Sequence, residues 1–163
     1  MPSLFTDFLN RHVDEVNEYL RAFFADKTDS ADIEAYLYAP LSAFSDNAGK
    51  RHRPLICMLA CAAVGGDFHA ALSAAAAIEH FQSAALIHDD IADNGHMRRG
   101  MPCLHITEGT GLAINCGDYA LTLVTDAVLR DDALEGDAKL RVLRELVDMM
   151  QRTVEGQALD LGW

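Results

Sequence analysis

The 163-residue chain is half hydrophobic and 23% charged, and its formal net charge is −12 at pH 7. These values predict a single globular domain over residues 1–163, and the acidic balance argues against nucleic-acid binding, which needs a broad basic face. The sequence shows no secretory signal and no uninterrupted apolar run of the roughly 18–20 residues that a membrane span needs. Its four cysteines include no CxxC pair, which is typical of a reducing compartment. We therefore expect a cytoplasmic protein that does not span a membrane.

Helical patterns cover the first part of the chain. Apolar residues at three- to four-residue spacing predict an amphipathic helix from about Ser3 to Ala25. A short helix follows to about Tyr38, and we expect Pro40 to end it. Residues 54–64 are apolar nearly all round, which predicts a buried helix with a proline at its first position.

The second part of the chain is also predicted to be helical. A long alanine-rich helix runs from about Phe68 to Asp93, followed by a loop over residues 94–102 and a short helical turn over residues 103–108. Two further helices span about Leu112–Arg130 and Asp137–Leu159. Because no alternating strand pattern and no fixed-period repeat occurs, we expect an all-α bundle with a site built between facing helices.

Three aspartates close the long helix. Asp89, Asp90 and Asp93 precede Asn94-Gly95, a pair suited to end a helix in the left-handed conformation. Carboxylates there face the negative end of the helix dipole, at an unfavourable roughly 0.3–1 kcal/mol each. Asp89 and Asp93 also share a helix face and repel each other. The cluster therefore predicts a bound divalent cation, with hard oxygen ligands suited to Mg²⁺.

Cations gather at equally unfavourable positions. Lys50, Arg51 and Arg53 precede the helix of residues 54–64, at the positive end of its dipole, and Arg98 and Arg99 follow the aspartates. Cations at a helix N-terminus form an anion site. Together with the aspartates they predict a polyphosphate held through Mg²⁺, with Mn²⁺ as a possible substitute.

Other interpretations of these residues stay open at this point. The aspartates could form a solvated acidic helix end, and the cations a solvated basic loop. Cys103, His105 and Cys116 could form a zinc site, although buried free thiols are the simpler interpretation.

Five segments occur here in the order and spacing that they have in trans-isoprenyl diphosphate synthases, and the resemblance covers about residues 45 to 163. They are Gly49-Lys50-Arg51-His52-Arg53-Pro54, His88-Asp89-Asp90-Ile91-Ala92-Asp93, Arg98-Arg99-Gly100-Met101-Pro102, Gly117-Asp118 and Gly156-Gln157-Ala158-Leu159-Asp160-Leu161. Two residues depart from the family pattern: Ala48 replaces a glycine, and Gln82 stands where many bacterial members have histidine.

The resemblance implies a helical bundle of the isoprenoid-synthase type that condenses isopentenyl diphosphate with an allylic diphosphate. It implies that Asp89 and Asp93 bind Mg²⁺, that Asp90 supports them, and that Arg98 contacts the allylic diphosphate. The diphosphate of isopentenyl diphosphate would be bound by Lys50, Arg53 and Arg99 with His52 and Gln82 alongside, while Gln157 and Asp160 would face the site. Ala84 and Ala85, with Phe81 one turn deeper, would set product length, and we expect a product of about C20 or longer.

The family's catalytic unit is roughly twice as long and carries a second aspartate-rich motif, so we interpret this sequence as its N-terminal half, cut after Trp163. We expect the enzyme to be a homodimer and the 163-residue chain alone to be inactive. The alternative is a non-catalytic partner or regulatory subunit, or an inactive fragment, of the same fold. A terpene cyclase fits less well, because it needs no second diphosphate site.

Overall fold

The computed structural model describes residues 4–25, 27–47 and 49–162. Within them the chain forms a helical bundle, which confirms the predicted all-α class. The helices are α1 (Leu4–Arg21), α2 (Ala31–Ile33), α3 (Ala39–Asp46), α4 (His52–Ala63), α5 (Leu72–Ala92), α6 (Leu104–Thr107), α7 (Thr110–Leu129) and α8 (Gly136–Gly162). A π-helix (Glu34–Tyr38) joins α2 to α3, and a 3₁₀ turn (His69–Ala71) leads into α5. The predictions that concern Ser3, Ala48 and Trp163 lie outside the described residues.

Helices α5 and α7 pack against each other at the centre of the bundle, with α4 against α5 and α8 against both. Seven alanines of these two helices are at most 1% exposed, namely Ala75, Ala76, Ala77, Ala84, Ala113, Ala120 and Ala127. Because the spacing of packed helices follows the size of the side chains between them, these alanines bring the two axes close together. The close pairing fixes the position of the last turn of α5, where the aspartates lie.

The two central helices have the length and hydropathy of membrane spans. The segments His69–Ala92 and Thr110–Leu129 each reach a mean hydropathy of 1.2 over 18 residues. Acidic residues interrupt both, which is why the sequence shows no unbroken apolar run of that length. In the bundle 56% and 44% of these windows are buried against other helices, as expected for helices that form a protein core.

Pro40 does not end the second helical segment, contrary to the prediction. A proline lacks an N–H, and its ring crowds the carbonyl four residues earlier, here that of Tyr36. The π-helix widens the turn at this point, with the Ala39 N–H donating to the carbonyl of Glu34, and the chain continues as helix to Asp46. The Cys116 thiol lies 4.0 Å from the Tyr36 carbonyl oxygen, which the proline deprives of the N–H donor that an α-helix would provide four residues on.

Other helix boundaries also differ from the prediction. Helix α5 begins at Leu72 rather than at Phe68, and α8 extends to Gly162 rather than to Leu159. Helix α4 begins at His52, so Pro54 is its third residue. This position tolerates proline because the first N–H groups of a helix have no acceptor within it. Helix α1 ends at Arg21 because the N–H groups of Phe23 and Phe24 bond to carbonyls three residues back, which tightens the chain into a turn.

Candidate active site

The end of α5 is the predicted one, and its backbone geometry places the aspartates. Asn94 adopts the left-handed conformation with a φ of 52°. The Gly95 N–H donates to the Asp90 carbonyl at 2.8 Å, and the Asn94 N–H donates to the Ile91 carbonyl at 3.2 Å. This pair of bonds is the Schellman motif, which satisfies carbonyls that the helix leaves without partners. Asp93 is therefore the C-cap residue, and the chain turns away directly after it.

The three aspartates have three different environments. Asp90 is 3% exposed and accepts a hydrogen bond from Arg98 Nε at 2.8 Å. Asp89 is partly buried, and its Oδ1 accepts a hydrogen bond from Gln157 Nε2 on α8 at 3.1 Å. Asp93 is exposed. Asp89 and Asp93 thus present carboxylate oxygens outside the core, whereas Asp90 lies beneath them.

Arg98 is bound by the aspartates themselves. Its Nη2 also donates to Asp90 Oδ1 and lies 3.6 Å from Asp89 Oδ2. The hydrogen bond to Asp90 raises the pKa of Arg98, and burial raises the pKa of the neighbouring Cys103 thiol. Arg98 therefore offsets the negative charge of the cluster and orients Asp90. Its predicted contact with the allylic diphosphate stays a prediction.

A short β-hairpin positions the next arginine. Strands β1 (Met97–Arg98) and β2 (Met101–Pro102) pair antiparallel in a segment that we predicted as loop. Arg99 and Gly100 connect them, both with positive φ, at 52° and 83°. Two such residues form the type I′ turn that suits a two-residue hairpin connection. For a residue other than glycine this conformation costs roughly 1–2 kcal/mol, so the pairing of the two strands must hold Arg99 at the tip against this strain.

The hairpin brings Arg99 to the segment before α4. Arg99 Nη1 donates to the Asn47 carbonyl at 3.0 Å. Burial lowers the pKa of Arg99, with smaller contributions from the positive charges of Arg51, Arg98 and Arg53, and Glu79 opposes them. Mutual destabilisation of cations favours a bound anion. No side chain caps the N-terminus of α4, so its dipole adds to this anion-binding potential.

The structure thus brings part of the predicted anion site together. Arg53 and Arg99 are close enough to influence each other electrostatically. Lys50, His52 and Arg53 are exposed at the start of α4. We refer to Lys50, Arg53 and Arg99 as the cation cluster.

Arg51 does not belong to this cluster, contrary to the sequence-based expectation. It is 3% exposed and faces the core, where its Nη1 donates to Glu79 Oε1 at 2.6 Å. Its backbone is left-handed, with a φ of 49°, and this conformation points the side chain inward while its neighbours stay exposed. A lone glutamate inside the apolar α5 is the sequence signal that could have predicted a buried cation.

An apolar cavity of about 510 Å³ opens between α5 and α8, with Leu121 of α7 as part of its wall. Asp89 and Gln157 lie in its lining, so their hydrogen bond joins the two helices beside it. The other lining residues are Phe81, Gln82, Ala85, Leu86, His88, Ala92, Thr153, Val154, Ala158 and Leu161. The site therefore combines an apolar cleft with a carboxylate at its lining.

Two predicted residues do not reach the cavity. Ala84 is fully buried and contributes to the core instead, because one residue along a helix turns the side chain by about 100°. Asp160 is exposed and does not line the cavity. The cavity lining does contain Phe81 and Ala85, which the resemblance implied for product length, and it also contains Gln82, which the resemblance implied for the isopentenyl diphosphate site.

His88 also lines the cavity, although its sequence position alone predicted no role for it. Its Nε2 lies 3.5 Å from Asp118 Oδ1 and 3.4 Å from the Ile114 carbonyl oxygen, both on α7. A Cβ on Gly117 would stand 2.4 Å from that Nε2, so α7 needs a glycine at this position. The glycine of the Gly117-Asp118 segment therefore makes room for the histidine next to Asp89.

The zinc alternative is wrong. Cys103 and Cys116 are buried, and the Cys116 thiol lies 3.9 Å from the Leu37 carbonyl oxygen. The part of the chain that the structure describes contains no group of three or more histidine, cysteine or acidic side chains placed to hold a metal. The same finding limits Asp89 and Asp93 to supplying two carboxylates, so an ion bound there would need waters and ligand oxygens.

Known proteins resemble this chain over nearly its full length. Residues 34–163 match the sequence profile of the polyprenyl synthetase family. A short-chain isoprenyl diphosphate synthase of Methanothermobacter thermautotrophicus is 35% identical over 96% of this chain and 46% of its own. A geranylgeranyl diphosphate synthase of Saccharolobus solfataricus is 31% identical over the same shares of the two chains.

The fold is shared as well. The crystal structure of geranylgeranyl pyrophosphate synthetase from Pyrococcus horikoshii superimposes with a TM-score of 0.88 and 31% identity, over 98% of this chain and 48% of that one. The chain thus spans about half the length of the curated relatives it matches.

Proposed function

The chain belongs to the polyprenyl synthetase family, and from this membership we propose that it supplies one face of a prenyltransferase active site. The reaction is the condensation of isopentenyl diphosphate with an allylic diphosphate. The observation that carries the proposal is the cavity between α5 and α8, which is mostly apolar and has the Asp89 carboxylate in its lining. The names of the relatives support the substrate class.

Asp89 and Asp93 fit a hard divalent cation such as Mg²⁺. They are carboxylates one helical turn apart, at the negative end of the α5 dipole. Mg²⁺ commonly keeps waters and takes substrate phosphate oxygens beside one or two carboxylates, which agrees with a site that offers only two. When bound, the ion supplies charge neutralisation to a departing diphosphate. The Gln157 amide holds the Asp89 carboxylate in place through its hydrogen bond.

The cation cluster provides the second anion site. Arg53 and Arg99 present guanidinium groups, which match the geometry of diphosphate oxygens, and Lys50 adds a mobile point charge. His52 and Gln82 are proposed to lie alongside. The presence of two separate sites suits a reaction that has two diphosphate substrates.

The apolar wall accommodates the hydrocarbon chain of the allylic substrate. The side chains of Phe81, Leu86 and Val154 give the region next to Asp89 an apolar lining. An allylic carbocation reacts with water unless its surroundings are dry, so we propose that this wall shields the condensation from hydrolysis when the opposite face of the active site covers it. The small Ala85 leaves depth for a growing chain, which supports a product of about C20 or longer.

We further propose that the active enzyme is a homodimer in the cytoplasm.

The chain itself is acidic, with a net charge of −12, so its anion site depends on local clustering of cations rather than on overall charge.

A chimeric enzyme tests the proposed reaction. Residues 1–163 replace the matching part of the Saccharolobus solfataricus synthase, and incorporation of radiolabelled isopentenyl diphosphate is measured with Mg²⁺ and an allylic diphosphate. We expect turnover, and we expect Asp89→Ala or Asp93→Ala to lower it by several orders of magnitude, because metal stabilisation of the leaving group acts in the transition state.

Ile87→Ala is the matched control within the same helix turn. Ile87 is 1% exposed, so its truncation costs stability, roughly 2–5 kcal/mol, rather than chemistry. Leu86→Ala is less suitable because Leu86 lines the cavity. Two results contradict the proposed function. One is a chimera that unfolds cooperatively on heating, and is therefore folded, but forms no product. The other is turnover in both aspartate variants that equals that of the unsubstituted chimera.

A further inference from the structure

A buried ion pair lies beneath the cation cluster. Arg51 and Glu79 are 3% and 4% exposed, and their charged atoms are 2.6 Å apart. Arg51 Nε also donates to Asn17 Oδ1 at 2.7 Å, and its Nη2 donates to the Ser45 carbonyl. One guanidinium thus bonds to α1, α3 and α5 at the same time.

Core stability alone does not account for this arrangement. Buried ion pairs can often be replaced by apolar residues of similar volume without loss of stability. Arg51 also holds a left-handed backbone conformation that is unfavourable for a residue with a side chain. Strain kept at such a position is an indication of function when a functional segment surrounds it. Here that segment carries Lys50 on one side and Arg53 on the other.

The guanidinium of Arg51 also defines where Arg99 can lie. A Cβ on Gly49 would stand 2.8 Å from Arg51 Nη1 and 3.1 Å from Arg99 Nη1. The two guanidinium groups therefore approach Gly49 closely, one held from the core and one from the hairpin tip. A shift of Arg51 changes the space that is available to both Gly49 and Arg99.

We propose that Arg51 is a positioning residue that sets the spacing of Lys50, Arg53 and Arg99 around the diphosphate of isopentenyl diphosphate. Its ion pair with Glu79 ties the cation cluster to α5, the helix that carries Asp89. The two diphosphate sites are thereby held at a fixed separation. This inference rests on the proposed function, because it concerns the anion site of that reaction.

Calorimetric titration of the 163-residue chain with isopentenyl diphosphate, and with inorganic pyrophosphate as the simpler probe, tests the proposal. Asn17→Ala removes one of the three acceptors and leaves the ion pair. We expect it to raise the Kd for both probes by about three- to tenfold, because Arg51 loses one of its three anchors and the cations around the anion site lose part of their fixed spacing. Arg51→Lys keeps the positive charge but loses the planar guanidinium group that bonds to three helices at once, and it should raise the Kd further.

Two control variants separate positioning from stability. Arg21→Lys alters an exposed ion pair with Asp46 that also joins α1 to α3, at 3.0 Å. Val128→Ala truncates a fully buried side chain of α7 and should lower the melting temperature. Both should bind the probes within twofold of the parent. If Arg51→Lys does not fold, Asn17→Ala still decides the question.

Three results overturn the proposal. A Kd within twofold of the parent for Asn17→Ala and Arg51→Lys removes Arg51 from the anion site. An equal loss of binding in Val128→Ala shows that binding follows stability alone. A parent chain that binds neither probe refutes the anion site, and the proposed function with it.

Discussion

At the scale of single residues, helix geometry separates two aspartates that adjoin each other in the sequence. Asp89 reaches the cavity and a partner on α8, whereas Asp90 is buried under Arg98. The sequence placed both at the end of a helix but could not show which one turns inward, because that depends on how α5 packs. The same reason explains why Ala85 lines the cavity and Ala84 does not.

This difference between the two alanines predicts their roles in binding. Ala85→Phe should fill the cleft below Asp89 and reduce the affinity for longer allylic diphosphates. Ala84→Phe should instead overpack the core and cost about 1–3 kcal/mol of stability. Titration of the chain and of both variants with C10, C15 and C20 diphosphates measures the first effect, and urea unfolding measures the second. An unchanged preference for chain length in Ala85→Phe would remove Ala85 from the control of product length.

His80 predicts a pH dependence of stability. Burial lowers its pKa to about 3, with Asp126 opposing and the charges of Arg51 and Lys27 adding to the effect. As the pH falls below 6.5, the unfolded chain takes up a proton on His80 that the folded chain does not. The free energy of unfolding therefore decreases by up to about 1.4 kcal/mol per pH unit from this group, down to the folded-state pKa.

Urea unfolding of the parent and of His80→Leu between pH 7 and pH 5 measures this dependence. The ring packs edge-on against Phe23, with centroids 4.8 Å apart, so an apolar replacement suits the site. We expect a shallower dependence in the variant. His69→Gln, a change at an exposed histidine bonded to Glu15, is the control. Equal slopes in parent and His80→Leu would contradict the assignment.

At the scale of elements, the sequence predicted the major helices, because each has apolar periodicity and a recognisable stop such as Asn94-Gly95. The prediction failed at two places where the local sequence pattern does not determine the backbone conformation. Pro40 was expected to end a helix, but a π-helix accommodates it. The hairpin around Arg99 escaped prediction because two-residue strands leave no alternating pattern, and because arginine is unusual in a left-handed turn.

Two glycines in helices predict opposite effects on stability. A Cβ on Gly117 would collide with the His88 ring, so Gly117→Ala should force α5 and α7 apart and destabilise the fold by about 1–3 kcal/mol. Gly156 has no atom within 4 Å of its would-be Cβ, so Gly156→Ala should stabilise α8 by about 0.5–1 kcal/mol. Thermal unfolding of both variants measures the pair. A stable Gly117→Ala variant would show that His88 moves freely.

At the scale of the whole molecule, the described surface has an apolar stripe on α8. Leu140, Val147, Val154 and Leu161 recur every seven residues and are 46–63% exposed. Contiguous exposed apolar surface drives association. We expect the 163-residue chain to form dimers or aggregates rather than a clean monomer. Light scattering during size exclusion measures this, and a monomer at high concentration would contradict it.

The open cavity between α5 and α8 predicts that the chain alone does not catalyse the condensation. Its cavity is lined on one side by Asp89 and is open between α5 and α8, so an allylic cation would meet water and the leaving group would be only partly neutralised. We expect the 163-residue chain alone to form no measurable prenyl diphosphate. Incorporation of radiolabelled isopentenyl diphosphate by chain of verified mass is the test. Product above background would show that this half of the site is sufficient.

The central claim is that Asp89 and Asp93 hold an allylic diphosphate through Mg²⁺. The most direct measurement is calorimetric titration of the chain with geranyl thiodiphosphate, an analogue that resists ionisation, with and without Mg²⁺. We predict binding that requires Mg²⁺, that is lost in Asp89→Asn and in Asp93→Asn, and that is unchanged in Asp132→Asn at an exposed turn. Binding that is equally strong without Mg²⁺, or unaffected by either aspartate substitution, would contradict the claim.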